Sequence, residues 1–148
     1  EATLSVNLTS AFYTVKAAVG AMMKSGGSIV LVSSAAARAG LPNHEAIAAA
    51  KAGVAGLALS AAASYAARSI RVNGVAPGLV RTQMTEKILS NAAGEKASIA
   101  MHPLQRIGEP ADVASLIQWL LDPANSWVTG QVFGIDGGLS TVRTRARA

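Results

Sequence analysis

The sequence predicts an α/β fold, half of a doubly wound sheet of parallel strands with helices on its faces. Residues 28–32 form an apolar run with no alternation of polar and apolar side chains, which is typical of a parallel strand covered on both faces, and residues 69–75 are predicted to be a second buried strand. Between them, residues 45–68 are long enough for a crossover helix. A third strand is predicted at residues 131–135, after a further helical segment. This order of elements indicates the fold class.

Length and composition indicate one globular domain. The chain has 148 residues, of which 51% are hydrophobic and 14% charged, enough for a single core. No run approaches about 18 uninterrupted apolar residues and the start lacks the features of a secretory signal, so we expect a cytoplasmic protein with no membrane partner. Because there are no cysteines, disulfides, zinc–thiolate sites and thiol nucleophiles are excluded, and we expect no metal site.

The formal net charge of +5 is concentrated at the end of the chain. Three arginines, Arg143, Arg145 and Arg147, lie in the last six residues. A short basic tail is typical of a solvated chain end. No basic stripe with interleaved aromatic residues is present, so we expect no nucleic-acid partner.

The first segment is predicted to be an amphipathic helix over residues 3–24. Apolar residues recur there at steps of three or four: Leu4, Leu8, Phe12, Val15, Val19 and Met22. Residues 25–27, Ser-Gly-Gly, end this helix before the first strand.

The crossover helix, residues 45–68, is rich in alanine, the strongest helix former. It also contains Gly53 and Gly56, which we expect to permit close packing against another helix. The second strand follows, and Ala-Pro-Gly at residues 76–78 is predicted to end it.

Residues 82–101 combine helical patches with polar breaks, which favours a mobile lid over a core element. The next helix is predicted to begin at Pro110, since proline is favoured at the first helical position. Glu109 and Asp112 stand near the positive end of its dipole. The helix is predicted to run to Leu121, before the Asp-Pro pair that ends it.

In doubly wound sheets, ligands bind beyond the carboxyl ends of the strands. Ser33 and Ser34 follow the first strand, Pro77 and Gly78 follow the second, and Lys51 lies on the helix between them. Taken singly, each is typical of an ordinary turn or a solvated lysine. Their combination is what indicates a site.

In combination, these residues occur in stretches that resemble the short-chain dehydrogenase/reductase family, in particular its classical members similar to 3-oxoacyl carrier-protein reductases. The likeness extends from about Val6 to Gly138. Five stretches carry it in order: Asn7-Leu8, GGSIVLVSS, AAAKAGVAGL, IRVNGVAPGLVRTQM and RIGEPADVASLIQWLLDPANSWVTGQVFGIDGG. The resemblance implies that residues 1–148 are a single partial domain, the C-terminal half of a Rossmann-like NAD(P)-binding fold.

In that family a serine, a tyrosine, a lysine and an asparagine form the catalytic site. The resemblance places Ser34, Lys51 and Asn7 at three of these positions. Ile47, thirteen residues after Ser34 and four before Lys51, stands where the family has its tyrosine, the proton donor. Isoleucine cannot donate a proton, and losing a positioned general acid typically costs about 10² to 10⁴ in rate.

His44 is the nearest titratable residue that could replace the missing acid, since histidine is a frequent proton carrier. The alternative is an ordinary surface or helix-capping histidine. Tyr13 and Tyr65 are expected to pack in the core or at an interface, and Trp119 and Trp127 are expected to be structural.

The resemblance also implies roles. Ser34 would hydrogen-bond the substrate's carbonyl oxygen, Lys51 would contact the ribose hydroxyls of the cofactor, and Asn7 would anchor a water through its helix backbone. The cofactor, NAD or NADP, would be lined by Lys51 and by residues after the second strand: Pro77, Gly78, Val80 and Thr82.

The family's glycine-rich pyrophosphate turn does not occur in this sequence. We therefore expect the C-terminal half of an NAD(P)-dependent oxidoreductase for a small carbonyl or alcohol substrate, assembling as a homo-oligomer or with an N-terminal half. The interfaces would be residues 3–24, 45–68 and 110–136. Two alternatives stay open, a catalytically impaired subunit or scaffold, and an enzyme that uses His44 or water for a different proton transfer.

Overall fold

The structure, a computed structural model, describes residues 1–144 and confirms the predicted fold class. Three strands, β1 (Gly27–Val32), β2 (Ile70–Pro77) and β3 (Val132–Ile135), form one sheet in the order β1-β2-β3. Both strand pairs are parallel. Arg145 and Arg147 of the predicted basic tail lie outside the described residues.

The central strand β2 is longer than predicted. It pairs with β1 from Gly27↔Ile70 to Val32↔Val75, and with β3 from Gly74↔Val132 to Pro77↔Ile135. Residues 76–78, Ala-Pro-Gly, were predicted to end the strand. Ala76 and Pro77 are instead its last two residues. Proline has no N–H to donate, and the next donor to β3 is the Gly78 N–H, which bonds the Ile135 carbonyl (3.2 Å).

The first predicted helix is present with an irregularity. It comprises α1 (Ala2–Leu4), a π-helical turn (Ser5–Thr9) and α2 (Ser10–Met22) in direct succession. Within the π-helical turn the pattern shifts by one residue, since the Ser10 N–H donates to the Ser5 carbonyl. The spacing of apolar residues does not reveal such a turn.

The crossover helix α3 (Glu45–Tyr65) continues as a 3₁₀ turn (Ala66–Arg68). Its inner face is made of small residues: Ala50, Val54, Ala58, Ala61 and Ala62. All of these except Ala50 pack with Val15 and Val19 of α2 and with Ile29 and Leu31 of β1 in one core. Because side chains alternate along a strand, Ser28 faces the other side of the sheet, where its hydroxyl donates to the Leu120 carbonyl (3.1 Å).

By length and composition alone, residues Glu45–Arg68 would also pass for a membrane span, with a mean hydropathy of 1.6 over the most apolar window. Of that window 28% is buried in this fold, and the buried side chains include Val54, Ala58, Ala61 and Ala62, which share a core with residues of the sheet and α2.

The two glycines of α3 have different surroundings. A Cβ at Gly53 would lie 2.8 Å from a methyl carbon of Leu8, so this glycine permits the close helix contact that was predicted. A Cβ at Gly56 would meet nothing within 4 Å. The prediction is therefore wrong for Gly56.

The lid segment, residues 82–101, is helical in two short pieces. A 3₁₀ turn (Gln83–Thr85) leads into α4 (Glu86–Leu89), and α5 (Ala92–Met101) follows. The next helix, α6 (Pro110–Leu121), has the predicted bounds and is followed by a 3₁₀ turn (Pro123–Asn125). The Asp112 carboxylate caps the start of α6 by accepting from the Glu109 N–H (2.7 Å).

The aromatic residues follow the predictions in part. Tyr65 packs against the core, and Trp119 makes an edge-to-face contact with Phe133 at 6.4 Å between ring centroids. Tyr13 is 62% exposed and Trp127 is 98% exposed. Neither side chain is therefore in the core of this chain, and the interface alternative for Tyr13 stays a prediction.

Candidate active site

The carboxyl ends of β1 and β2 lie side by side, as predicted. The Ser33 N–H donates to the Val75 carbonyl (2.7 Å), which keeps the chain after β1 next to β2. The Ser33 side chain is buried, and its hydroxyl donates to the Lys51 carbonyl (2.8 Å). Ser33 therefore attaches α3 to the sheet and is not free for catalysis.

Ser34 is half-buried and caps the 3₁₀ turn Ala35–Ala37. Its Oγ accepts from the Ala36 N–H (3.1 Å). In this bond the serine is the acceptor, so its own O–H remains available to donate. The cap fixes the oxygen at the end of β1, where the sequence predicted a substrate-facing hydroxyl.

Lys51 reaches the same place from α3. Its Nζ donates to the Val32 carbonyl (2.9 Å), and burial lowers the pKa of the ammonium below its ordinary value. An ammonium has three N–H donors, and within residues 1–144 this is the hydrogen bond that its side chain makes. Two donors therefore remain for a ligand.

Ile47 lies one helical turn before Lys51, on the same side of α3 because residues four apart are neighbours on a helix. It is half-buried. The structure thus places an aliphatic side chain beside the ammonium, where the resemblance implies a phenol.

Asn7 lies in the π-helical turn. Its Nδ2 donates to the Thr3 carbonyl (3.0 Å), and the neighbouring Leu8 packs on Gly53 of α3. The turn is therefore held against the helix that carries Lys51. Single π-helical turns are frequent at functional sites, but this one has no signal in the sequence.

His44 is exposed and immediately precedes α3. Its Nδ1 lies 2.7 Å from the Pro42 carbonyl oxygen, and its side chain makes no capping bond to the helix. The capping alternative is therefore wrong. The ring is bound to the preceding loop and not to Ser34 or Lys51.

The turn after β2, residues 77–81, is held by the segment before α6. Val80 forms a parallel bridge with Gly108. The Gly108 N–H donates to the Leu79 carbonyl (3.0 Å), and the Arg81 N–H donates to the Gly108 carbonyl (2.9 Å). The backbone of the predicted cofactor-binding residues is therefore fixed before any ligand binds. Thr82 follows directly, as the cap of the 3₁₀ turn Gln83–Thr85.

In the described part of the chain, four buried polar residues were not predicted, namely Asn73, Ser98, His102 and Asp136. Asn73, in the middle of β2, donates to the Val128 carbonyl (3.0 Å) and accepts from the Gln131 N–H (3.1 Å), which fixes the approach to β3. His102 and Asp136 are 2% and 7% exposed. The sequence held a signal for two of these residues. Asn73 is a polar residue inside a predicted buried strand, and Asp136 precedes Gly-Gly, which is typical of a turn.

Asp136 organises the turn after β3. Oδ1 accepts from the Gly138 N–H (3.0 Å), while Oδ2 accepts from the N–H (3.0 Å) and the hydroxyl of Ser140. Burial alone would raise the pKa of this carboxyl, but these hydrogen bonds and the charge of Arg38 outweigh burial and lower the pKa below its usual range.

The residues of this chain fit the nicotinamide end of a dinucleotide. Lys51 offers two N–H donors at the carboxyl edge of the sheet, as ribose hydroxyls require, and the turn after β2 offers a rigid backbone close by. No glycine-rich turn of the kind that binds a pyrophosphate occurs in this sequence. The fit is therefore to one end of the cofactor.

Comparison with known proteins agrees with this geometry. The family model described as Enoyl-(Acyl carrier protein) reductase matches residues 1–140. The 3-oxoacyl-(acyl-carrier-protein) reductase of Thermotoga maritima is 44% identical over 140 residues, 94% of this chain and 56% of that protein. A 2,5-dichloro-2,5-cyclohexadiene-1,4-diol dehydrogenase of Sphingobium indicum is 39% identical over 142 residues, 94% of this chain and 57% of that protein. The chain thus spans a little over half the length of these relatives.

Solved structures give the same result. A short-chain type dehydrogenase/reductase from Mycobacterium ulcerans is similar with a TM-score of 0.89 at 36% identity, covering 95% of this chain and 51% of that one. A putative 2-deoxy-d-gluconate 3-dehydrogenase from Agrobacterium tumefaciens, with bound NADP, has a TM-score of 0.87 at 33% identity, covering 92% of this chain and 56% of that one.

Proposed function

This chain belongs to the short-chain dehydrogenase/reductase family, and we propose that it is the C-terminal half of an NAD(P)-dependent oxidoreductase that interconverts a small carbonyl compound and its alcohol. The proposal depends chiefly on Lys51. Its ammonium lies at the carboxyl end of β1 with two unused N–H donors, beside the hydroxyl of Ser34 and the strand end that leads to Gly78.

In the proposed reaction the bound nicotinamide supplies or accepts the hydride. The Ser34 hydroxyl donates a hydrogen bond to the substrate's carbonyl oxygen and stabilises the charge that develops there. Lys51 holds the cofactor ribose and contributes positive charge nearby. Ile47 cannot deliver the proton that completes carbonyl reduction, so this proton comes from solvent or from another side chain, and turnover is slow.

A calorimetric titration with NADPH and then NADH tests the proposal, first on the 148-residue chain and then on the chain together with the segment that precedes it in its relatives. Binding is expected in the second case, which is called the combined protein below. Lys51→Met should abolish it, while Lys16→Met, on the exposed side of α2, should leave it unchanged. A combined protein with no affinity for either dinucleotide would rule the proposal out.

A second candidate is a catalytically impaired subunit or scaffold of the same family. Ile47 favours it, because an aliphatic side chain stands where the proton donor is required. This candidate predicts that the combined protein binds NADPH but oxidises it no faster when small aldehydes and ketones are added. Measurable turnover of any such carbonyl above the rate without protein would count against it.

A third candidate, proton transfer through His44 or water, has less support because His44 is bound to the Pro42 carbonyl. If His44 carries the proton, His44→Gln should abolish whatever turnover the combined protein has. Unchanged turnover in this variant would eliminate His44, and leave solvent as the proton source.

We also propose assembly as a homo-oligomer, or with an N-terminal half, in the cytoplasm. Large apolar side chains are exposed on α2 and α3, among them Phe12, Tyr13 and Leu59, which are 52%, 62% and 58% exposed. Such a patch is typical of an interaction surface. Light scattering after size-exclusion chromatography should give a mass above that of one chain, and Phe12→Ser should lower it.

A further inference from the structure

His102 is a buried histidine that none of the roles above uses. It follows the last residue of α5 and is 2% exposed. Burying an imidazole is unfavourable unless its polar nitrogens find partners. Both nitrogens of His102 have one.

The two partners differ in chemistry and so determine the tautomer. Nδ1 lies 2.7 Å from the Ser98 carbonyl oxygen of α5, and Nε2 lies 3.2 Å from the backbone nitrogen of Leu79. A carbonyl can only accept and a backbone N–H can only donate. The ring is therefore neutral, with its hydrogen on Nδ1 and a lone pair on Nε2 directed at the turn after β2.

The ring also fills the space beside that turn. A Cβ at Gly78 would lie 2.8 Å from Nε2, and one at Gly137 would lie 3.5 Å from the Cβ of His102. The imidazole thus contacts the turn after β2 and the turn after β3 while remaining attached to the lid segment through Ser98.

We propose that His102 is a positioning residue that links the lid segment to the turn after β2, through the bond from the Leu79 N–H to Nε2. A hydrophobic residue would fill the volume but leave this N–H without its acceptor. Because Leu79 directly follows Gly78, the ring helps to set the backbone that would line the nicotinamide. This consequence for cofactor binding rests on the proposed function, whereas the link itself does not.

The link differs from two other side-chain bonds between the same two segments. The Thr85 hydroxyl donates to the Val80 carbonyl (2.7 Å), but these residues are only five positions apart, so that bond is local. Arg81, in the turn, pairs with Glu95 of α5 at 2.8 Å, but both side chains are substantially exposed. Exposed ion pairs contribute little and are screened by salt. The buried imidazole is the connection whose geometry is fixed.

Two matched substitutions separate the two nitrogens. The Oε1 of His102→Gln reaches the place of Nε2 and keeps an acceptor for Leu79, whereas the shorter His102→Asn keeps a donor for Ser98. Backbone amide hydrogen exchange on the 148-residue chain then compares Leu79 with Val72 in the core of β2. Exchange at Leu79 is expected to rise about two- to tenfold in His102→Asn, to stay close to the original rate in His102→Gln, and to leave Val72 unchanged in both.

Equal loss of protection in the two variants, or no loss in either, would overturn the proposal. Nitrogen-15 NMR of the imidazole in the unmodified chain decides the matter even if the variants fail to fold, since a hydrogen found on Nε2 would also overturn it. Cofactor titration of the combined protein adds a separate result. If cofactor binding is weaker in His102→Asn and unchanged in His102→Gln, the bond from Leu79 to His102 also supports cofactor binding. If the unmodified protein binds no cofactor, the proposed function is rejected, but the hydrogen-exchange result still tests the bond itself.

Discussion

Two regions at the carboxyl edge of the sheet are built differently. The candidate catalytic row, Ser34, Ile47 and Lys51, is half-buried, and the side-chain bonds of its two polar members are to backbone groups. The turn region around residues 77–81 contains His102 and Asp136, both buried, with every hydrogen-bonding group of their side chains partnered. The first region retains hydrogen-bond donors for a ligand, whereas the buried side chains of the second already have all their hydrogen-bond partners within the chain.

This difference indicates which region a substitution should disturb more. The turn region depends on many mutual bonds, so a change there is expected to disturb the fold. The candidate catalytic row depends on side chains that α3 and β1 position, and Ile47 is only half-buried there. Under the proposed function, a change at residue 47 should therefore affect the chemistry more than the fold.

The strongest test of the comparison is Ile47→Tyr in the combined protein. If the rest of the row is still organised for catalysis, restoring the phenol should raise NADPH-dependent carbonyl reduction by about 10² to 10⁴. The Lys51 ammonium, one helical turn away, would favour ionisation of that phenol. Initial rates of NADPH oxidation with a panel of small ketones measure the effect.

Ile47→Phe is the matched control, since it adds the ring without the hydroxyl and should give no gain. A tyrosine variant as slow as the phenylalanine variant, with cofactor affinity intact, would show that the row has lost its geometry as well as its acid. The scaffold candidate would then be preferred.

The second test concerns Gly78 in the turn region. A Cβ there would lie 2.8 Å from Nε2 of His102 and 3.0 Å from the backbone of Asp136. Since neither neighbour is free to move, Gly78→Ala is expected to destabilise the fold by about 1–3 kcal/mol. Gly20→Ala, in a helix with nothing within 4 Å, should instead stabilise by about 0.5–1 kcal/mol. Urea denaturation measures both, and a neutral Gly78→Ala would contradict the close packing.

Sequence patterns were sufficient for much of the fold. The continuous apolar run at residues 28–32 indicated a buried parallel strand, and Pro110 marked the start of α6 because proline suits the first helical turn. The same patterns missed the π-helical turn around Asn7, because apolar spacing hardly changes when one residue is inserted. They also placed the end of β2 too early, since the partner that supports Pro77 is β3, far away in the sequence.

The residues of the candidate catalytic row could be named from the sequence, whereas the contacts of the turn region could not. Ser34, Ile47 and Lys51 have characteristic spacing within one loop and helix. His102 acts through Leu79, 23 positions away, and a lone histidine before proline carries no local signal of that contact. Tertiary hydrogen bonds of this kind depend on how segments meet, which periodicity does not describe.

A third test uses pH to examine Asp136. The pKa of this carboxyl is lower in the folded chain than its ordinary value of 3.8. The carboxylate therefore contributes stability that is complete well above pH 3.8 and is lost as pH falls through the lower, folded pKa. Asp136→Asn should cost about 1–2 kcal/mol at pH 7, and the difference from the unmodified chain should shrink below pH 3.8. A difference that stays constant down to pH 2.5 would contradict the role of the ionised carboxylate.

The smallest expected effect lies at the solvent-facing rim of the turn region. Two nitrogens of Arg106 contact the Asp112 carboxylate at 2.7 and 2.9 Å. The Arg106 guanidinium and the Glu109 N–H lower the pKa of Asp112 from 3.8 to about 2. Because the pair is exposed, its loss should hardly change the free energy of unfolding, but it should be visible in the titration of the carboxyl itself.

Carbon-13 NMR of the Asp112 carboxyl should therefore show a midpoint near 2 that rises toward 3.8 in Arg106→Met, without reaching it because the Glu109 N–H still donates. Arg81→Met is the control, since Arg81 pairs with Glu95 and Glu109 and not with Asp112. If the midpoint stayed in place without Arg106, the N–H at the start of α6 would account for the whole shift. The rim would then resemble the interior of the turn region, where backbone donors and not side-chain charges fix the acidic groups.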